Sequence, residues 1–259
     1  MTSGAGTSAC PSRPGDPWFP FGTASDAPVR LLCLPHAGAG ASVYRTWGRG
    51  LPAPVTACPV QPPGRERRLA EPPVTSVREL ARQLAPHVTA MIRAPYAIFG
   101  HSTGALSAFE VSREIRRLGA PLPVRLFVAG RRAPSMPMPR TELAGLPPDE
   151  LAIVLRRLDG TPEDILQSPA MLRLLQPLLA ADFQVNEDYA YRHEPPLPIP
   201  ITTFASTRDP FAAPEDVVGW QAETAARCTP IVLDGGHFAI FQHAAAVLRQ
   251  IARDLAPWS

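Results

Sequence analysis

The sequence contains no lysine: its 25 basic side chains are all arginine, set against 23 acids for a formal charge of +2. That is not the large basic excess that gripping a phosphate backbone requires, and a nucleic-acid protein is excluded. Long apolar runs are missing too. Pro, Gly or Arg interrupts each apolar stretch before the roughly 18 residues needed to cross a bilayer, so no membrane span is expected. Cysteine is scarce: Cys10, Cys33, Cys58 and Cys228 show no CxxC spacing and no companion ligands, and Cys33 and Cys58 sit in apolar runs where cysteine acts as a small hydrophobe. A reducing cytoplasm and no structural metal are expected. The missing lysine, beside abundant Ala, Arg and 33 Pro, reads as a coding bias toward G and C, a property of the genome rather than of function.

With 45% hydrophobic and 19% charged residues the chain buries a sizeable core, and its 259 residues suit one large α/β domain or two small ones. Residues 1–25 are rich in Ser, Gly, Ala and Pro, lack a basic n-region and an apolar h-region, and read as a mobile leader. Beyond them short β-rich runs (29–34, 55–60, 96–99, 124–128, 201–205 and 231–233) alternate with helical patterns. Ser76 caps one such pattern with Glu79 three residues on, and Pro86 is expected to bend it. A second runs to about residue 118 and is closed by Gly119 and Pro121. The reading is an α/β fold, a mostly parallel sheet with helices on both faces. Its core spans 26–133 and 201–259, where the runs 215–226 and 243–255 read as helices. Between them, 134–200 holds helical patterns (148–158 and 168–189) but no convincing strand, and so forms a helical insertion placed like a lid.

The strongest local signal is Gly100-His101-Ser102-Thr103-Gly104, a GxSxG motif preceded by a strand and followed by a helix. Glycines two residues either side of the serine let the backbone make a sharp turn where a Cβ would not fit, which makes Ser102 the candidate nucleophile. A serine hydroxyl needs a histidine base that a carboxylate orients. His237 follows a strand and the Gly235-Gly236 pair, on a loop at the carboxyl edge of the sheet where Ser102 also emerges. His87 and His243 fall in helical patterns and suit packing or the surface, while His193, beside the exit of the insertion, stays open. For the acid, Asp209 follows the strand 201–205 and completes the order Ser102, Asp209, His237 of an α/β-hydrolase. Asp234 is its rival, three residues from His237 on the same loop. The oxyanion donors expected are the N–H of Thr103, after the nucleophile, and that of Ala37 in Pro35-His36-Ala37-Gly38-Ala39-Gly40; those glycines suit a plain tight turn equally well.

Taken in order, Leu34-Pro35-His36-Ala37-Gly38, Gln61-Pro62-Pro63-Gly64-Arg65-Glu66-Arg67-Arg68, Phe99-Gly100-His101-Ser102-Thr103-Gly104-Ala105 and Ala129-Gly130-Arg131-Arg132-Ala133-Pro134 resemble one family, as do Ala181-Asp182-Phe183, Tyr189, Arg208-Asp209-Pro210, Trp220 and Gly235-Gly236-His237-Phe238. It is that of the type II, stand-alone thioesterases serving polyketide synthases and nonribosomal peptide synthetases, and the resemblance runs from about Trp18 to the end. It implies an α/β-hydrolase fold with a helical lid, and release of acyl groups from the phosphopantetheine arm of acyl or peptidyl carrier proteins. It also implies a triad of Ser102, Asp209 and His237 with oxyanion donors at Ala37 and Thr103. The chain departs from the family at Thr103, where Met or Leu is more usual, and at Ala205-Ser206, where a glycine is commoner. No cofactor of its own is expected, since the arm belongs to the partner, and a monomer is the default. Arginines 65, 67 and 68, 116 and 117, and 131 and 132 either meet an acidic carrier or pair locally. Rival functions are a general carboxylesterase or lipase with the same triad, a catalytically silent docking module, and a cyclising thioesterase domain excised from a synthase.

Overall fold

A computed structural model describes residues 15–23, 26–138, 143, 145–158 and 160–258. Six strands, β1 (Val29–Leu34), β2 (Val55–Pro59), β3 (Tyr96–His101), β4 (Arg125–Ala129), β5 (Ile201–Ser206) and β6 (Cys228–Leu233), form one sheet in the order β2-β1-β3-β4-β5-β6. Each neighbouring pair is parallel. Helices α1 (Val77–Met91), α2 (Thr103–Arg117), α3 (Pro148–Leu158), α4 (Glu163–Leu166), α5 (Pro169–Glu187), α6 (Ala239–Gln242) and α7 (Ala244–Leu255) complete it. None of the described helices is long and apolar enough to cross a membrane.

Strand side chains alternate between two faces, and here both faces are covered. Leu32, Leu34 and Ile98 pack with Leu84 and Val88 of α1 and Phe109 of α2. Leu31, Cys33 and Phe99 pack on the other side with Val247, Leu248 and Ile251 of α7. That two-sided burial is why the central strands carry apolar runs without alternation. The cap on α1 forms, Ser76 accepting from the Glu79 N–H at 3.5 Å, and α1 continues through Pro86 to Met91.

The insertion keeps a small core of its own, in which Leu151 and Leu155 of α3 meet Leu166 of α4 and Leu172 and Leu179 of α5. Its described residues contain no strand beyond one isolated bridge, Leu197 to Thr224. Helix α4 has four residues, too few for a periodic pattern to announce it.

Three expectations are corrected. The leader does not extend through residue 25. Trp18 and Phe19 are 2% exposed inside the core, the Trp18 carbonyl accepts from the Gln61 N–H, and the Arg68 guanidinium stacks 4.4 Å above the Trp18 ring. Two large aromatics embedded among Ser, Gly and Pro anchor what average composition presents as loose chain, whereas residues 1–14, 24 and 25 lie outside those described. The helix expected over 215–226 is instead a 3-10 stretch, Asp216–Glu223, interrupted in propensity by Gly219 and pinned where the Trp220 indole N–H donates to the Arg131 carbonyl. Strand β6 begins three residues earlier than expected, because Pro230 obscures it; a proline is tolerated there since β6 lies at the sheet edge.

Candidate active site

Strand β3 runs into α2 through Ser102, whose φ of 55° and ψ of −117° lie in a region that costs a non-glycine residue about 1–3 kcal/mol. Among the described residues only Glu66 shares a positive φ without being glycine. The strain lifts Ser102 out of the turn. Its flanks show why both glycines are needed: a Cβ on Gly100 would lie 2.1 Å from the Gly104 carbonyl oxygen, and one on Gly104 would lie 2.3 Å from that of Leu34. Backbone on both sides cannot yield cheaply, so Gly104→Ala is expected to destabilise the fold by about 3 kcal/mol, read by urea unfolding. Gly119→Ala, with open space around it but a φ of +66°, is expected to cost about 1 kcal/mol. Equal losses at the two positions would show that crowding at the elbow is not what selects glycine.

His237 and Asp209 meet. The loop after β5 buries Asp209 to 4% exposure, and its Oδ2 lies 2.8 Å from His237 Nδ1 while its Oδ1 accepts from the Phe211 N–H. Asp234 is excluded as the partner of His237, since its carboxylate is exposed and accepts from Arg208 at 2.8 Å and from the Thr207 hydroxyl at 3.0 Å. Ser102 and His237 line one cavity, although the Ser102 hydroxyl makes no hydrogen bond within the described residues. Such contacts are often long before substrate binds. Of the other histidines, His87 pairs with Asp16, His243 bonds the Asp234 carbonyl, and His193 is exposed and away from the cavity.

Beneath His237 lie two imidazoles that the sequence did not single out. His101 is fully buried, with Nε2 2.9 Å from the His237 carbonyl oxygen, and its ring centroid is 4.8 Å from that of His237. His36 stands edge-on to His101 and to Phe238. Burial, reinforced by the nearby His237, lowers His36 to about 3 and holds His101 well below its ordinary range. Both are neutral at pH 7.

Ala37 and Thr103, the two expected oxyanion donors, line the same cavity. Thr103 is the first residue of α2, where a backbone N–H has no carbonyl one turn back within the helix. Ala37 lies in the loop after β1, just before Gly38, whose φ is +76° and whose N–H donates to Asp182 Oδ2 at 2.7 Å. The cavity itself measures about 250 Å³. The insertion supplies its apolar wall through Leu155, Ile165, Leu175, Leu179 and Phe183, with Phe211 and Phe238 closing the core side.

Most of the arginines considered for a partner are occupied internally. Arg65 and Arg68 are buried, the first in a bidentate pair with Asp182 and the second with Glu71. Arg116 and Arg117 share Glu194, and Arg132 bonds Asp216. Arg131 is 2% exposed, and burial lowers it to about 10. Of the seven, Arg67 alone is exposed and has no ion pair among the described residues. Sequence spacing displays a cluster but not the acid folded onto it from a distant helix. Sequence reasoning also passed over Asn186, the one asparagine in the chain, which lines the cavity and donates to the Thr103 hydroxyl at 2.7 Å. A lone polar residue in a helical run carries no positional signal.

The thioesterase domain family model matches residues 29–255. The chain is 37% identical over 218 residues to the gramicidin S biosynthesis protein GrsT of Aneurinibacillus migulanus, covering 84% of this chain and 85% of that protein. It superposes on RedJ, a thioesterase from the prodiginine biosynthetic pathway of Streptomyces coelicolor, with a TM-score of 0.83 and 36% identity over 95% of this chain and 90% of RedJ. It likewise superposes on BorB, the type II thioesterase from the borrelidin biosynthetic cluster, with a TM-score of 0.81 and 36% identity over 90% of this chain and 95% of BorB. With the parallel sheet, the elbow serine and the helical insertion, these matches mean that the chain belongs to the thioesterase domain family on an α/β-hydrolase fold, among its type II members.

Proposed function

We propose that this thioesterase hydrolyses acyl groups carried as thioesters on the phosphopantetheine arm of acyl or peptidyl carrier proteins, clearing stalled or wrongly primed carriers in polyketide or nonribosomal peptide synthesis. The observation that carries the reading is one apolar cavity, walled by the insertion, whose lining includes both Ser102 and His237. An acyl chain fits such a wall, and a thioester carbonyl at its polar end lies beside the nucleophile. His237 Nε2 accepts the Ser102 proton as Oγ attacks the carbonyl carbon, and the negative charge collects on the carbonyl oxygen, held by the N–H groups of Ala37 and Thr103. The C–S bond then breaks, and the arm leaves as a thiol on taking the proton from His237. Water repeats the sequence on the acyl-serine: His237 removes its proton and returns it to Ser102, and the acid is released. Asp209, accepting from His237 Nδ1–H, fixes the tautomer and stabilises the imidazolium.

In this reading the enzyme acts in the cytoplasm and uses no metal or cofactor of its own. The test compares an acyl-pantetheine thioester with the matched oxygen ester, with Ser102→Ala as blank. The thioester is expected to be hydrolysed with the higher kcat/KM, and loading the same acyl group on a carrier protein raises kcat/KM further. Faster cleavage of the oxygen ester with no gain from the carrier would favour a general carboxylesterase.

A further inference from the structure

Helix α5 presents Leu179, Asp182 and Asn186 at spacings of three and four, which places them along one face. That face touches both halves of the oxyanion site. Asp182, 3% exposed, accepts from the Gly38 N–H at 2.7 Å, and it is held there by both guanidinium nitrogens of Arg65 at 2.7 and 2.8 Å. Arg65 also donates to the Ala39 carbonyl at 3.2 Å, so the loop bearing Ala37 is gripped at the two residues that follow it. Leu179 fills the space beside Gly38, its Cδ2 standing 2.6 Å from where a Cβ would be. One turn further on, the Asn186 amide donates to the Thr103 hydroxyl at 2.7 Å and to the Asp182 carbonyl at 3.1 Å. Its oxygen accepts from the buried guanidinium of Arg131. With both ends of its amide engaged, Asn186 cannot turn away from Thr103. It is the sole asparagine of the sequence.

We propose that α5 gauges the oxyanion hole: Asp182 and Asn186 are positioning residues that fix the N–H groups of Ala37 and Thr103 relative to each other, so the hole is complete only while the lid helix is seated. The inference rests on the acyl-transfer reading above and deepens it. Ala37 and Thr103 each lie three residues beyond Leu34 and Gly100, where the pairing of β1 with β3 ends, and the grips of α5 hold the loop and turn past that pairing to the few tenths of an ångström that stabilising an oxyanion demands. An acyl group that fits beneath α5 leaves both grips intact. One that lifts the helix still binds, but finds the donors out of place, so the enzyme discriminates among acyl groups in kcat more than in KM.

The test measures three quantities on Asn186→Ala and Asp182→Ala. They are kcat with an acyl-carrier substrate, the affinity of an acyl-pantetheine trifluoromethyl ketone that puts an oxyanion in the hole, and the affinity of the intact acyl-carrier for each variant in a Ser102→Ala background. A gauging role predicts a loss in kcat of about 10- to 100-fold, a parallel loss of ketone affinity, and ground-state affinity within about threefold of the parent. Because Asp182→Ala strands the Arg65 cation and puts folding at risk, Asn186→Ala decides the matter. Retained kcat with raised KM, or unchanged ketone affinity, overturns the proposal. Failure of the ketone to inhibit the parental enzyme would instead sink the acyl-transfer reading, and this inference with it.

Discussion

Replacing Ser102 with alanine is expected to lower release of acyl groups from a carrier by a factor on the order of 10⁴ or more, about 5.5 kcal/mol of barrier, while leaving stability nearly unchanged. The two halves of that expectation have separate causes. Catalysis is lost because no thiol among the described residues takes the place of Oγ: Cys33, Cys58 and Cys228 are absent from the cavity lining, and burial pushes the Cys33 and Cys58 thiols up and away from the thiolate. Stability is kept because the hydroxyl makes no internal hydrogen bond among the described residues, and because alanine inherits the positive φ without adding to it. What activity persists would come from Ala37, Thr103 and the cavity acting on water, the residual that a binding site and its donors supply without a nucleophile. Mass spectrometry of an acyl-loaded carrier reads the first half and thermal unfolding the second. Release at the parental rate would remove Ser102 from the mechanism.

The elbow was legible in the sequence because its chemistry is largely local: a strand, a serine between spaced glycines and a helix all fall within the 22 residues from Tyr96 to Arg117. Asp209 and His237 were legible through chain order, each lying just past a strand end, where a parallel sheet gathers its loops. What the sequence hid is long-range. Arg65 and Asp182 are 117 residues apart, and a run of arginines looks like a surface until the helix carrying its acid is folded onto it. Trp18 and Phe19 were hidden by averaging, since two buried aromatics weigh little in the composition of a 25-residue window. His36 and His101 were visible as parts of motifs, but their neutrality was not. It arises from burial beside His237, which only the meeting of β1, β3 and the loop after β6 brings about.

That burial makes the protein sensitive to acid. In the unfolded chain each of these imidazoles takes up a proton near pH 6.5, whereas in the fold burial lowers His36 to about 3 and keeps His101 well below its ordinary range. Folded-state values below the unfolded ones mean that the unfolded state binds more protons as pH falls, so the stability these groups permit is complete above about pH 7 and is lost on acidification. With its folded-state value near 3, His36 removes about 2 kcal/mol between pH 7 and pH 5, and His101 acts in the same direction. Against the usual 5–15 kcal/mol that is a large share, and most carboxylates do not titrate in that interval. Urea unfolding at pH 7, 6 and 5 measures it directly. His36→Gln, which keeps a polar side chain but cannot titrate, is expected to cut the loss by about 2 kcal/mol; a variant that falls as steeply as the parent would mean that the neutral imidazole of His36 is not its cause. The arrangement also bears on turnover. In the proposed mechanism, the uncharged His36 and His101 add no positive charge beside His237 as it takes the Ser102 proton, so the feature that makes the fold acid-labile also spares the imidazolium their repulsion.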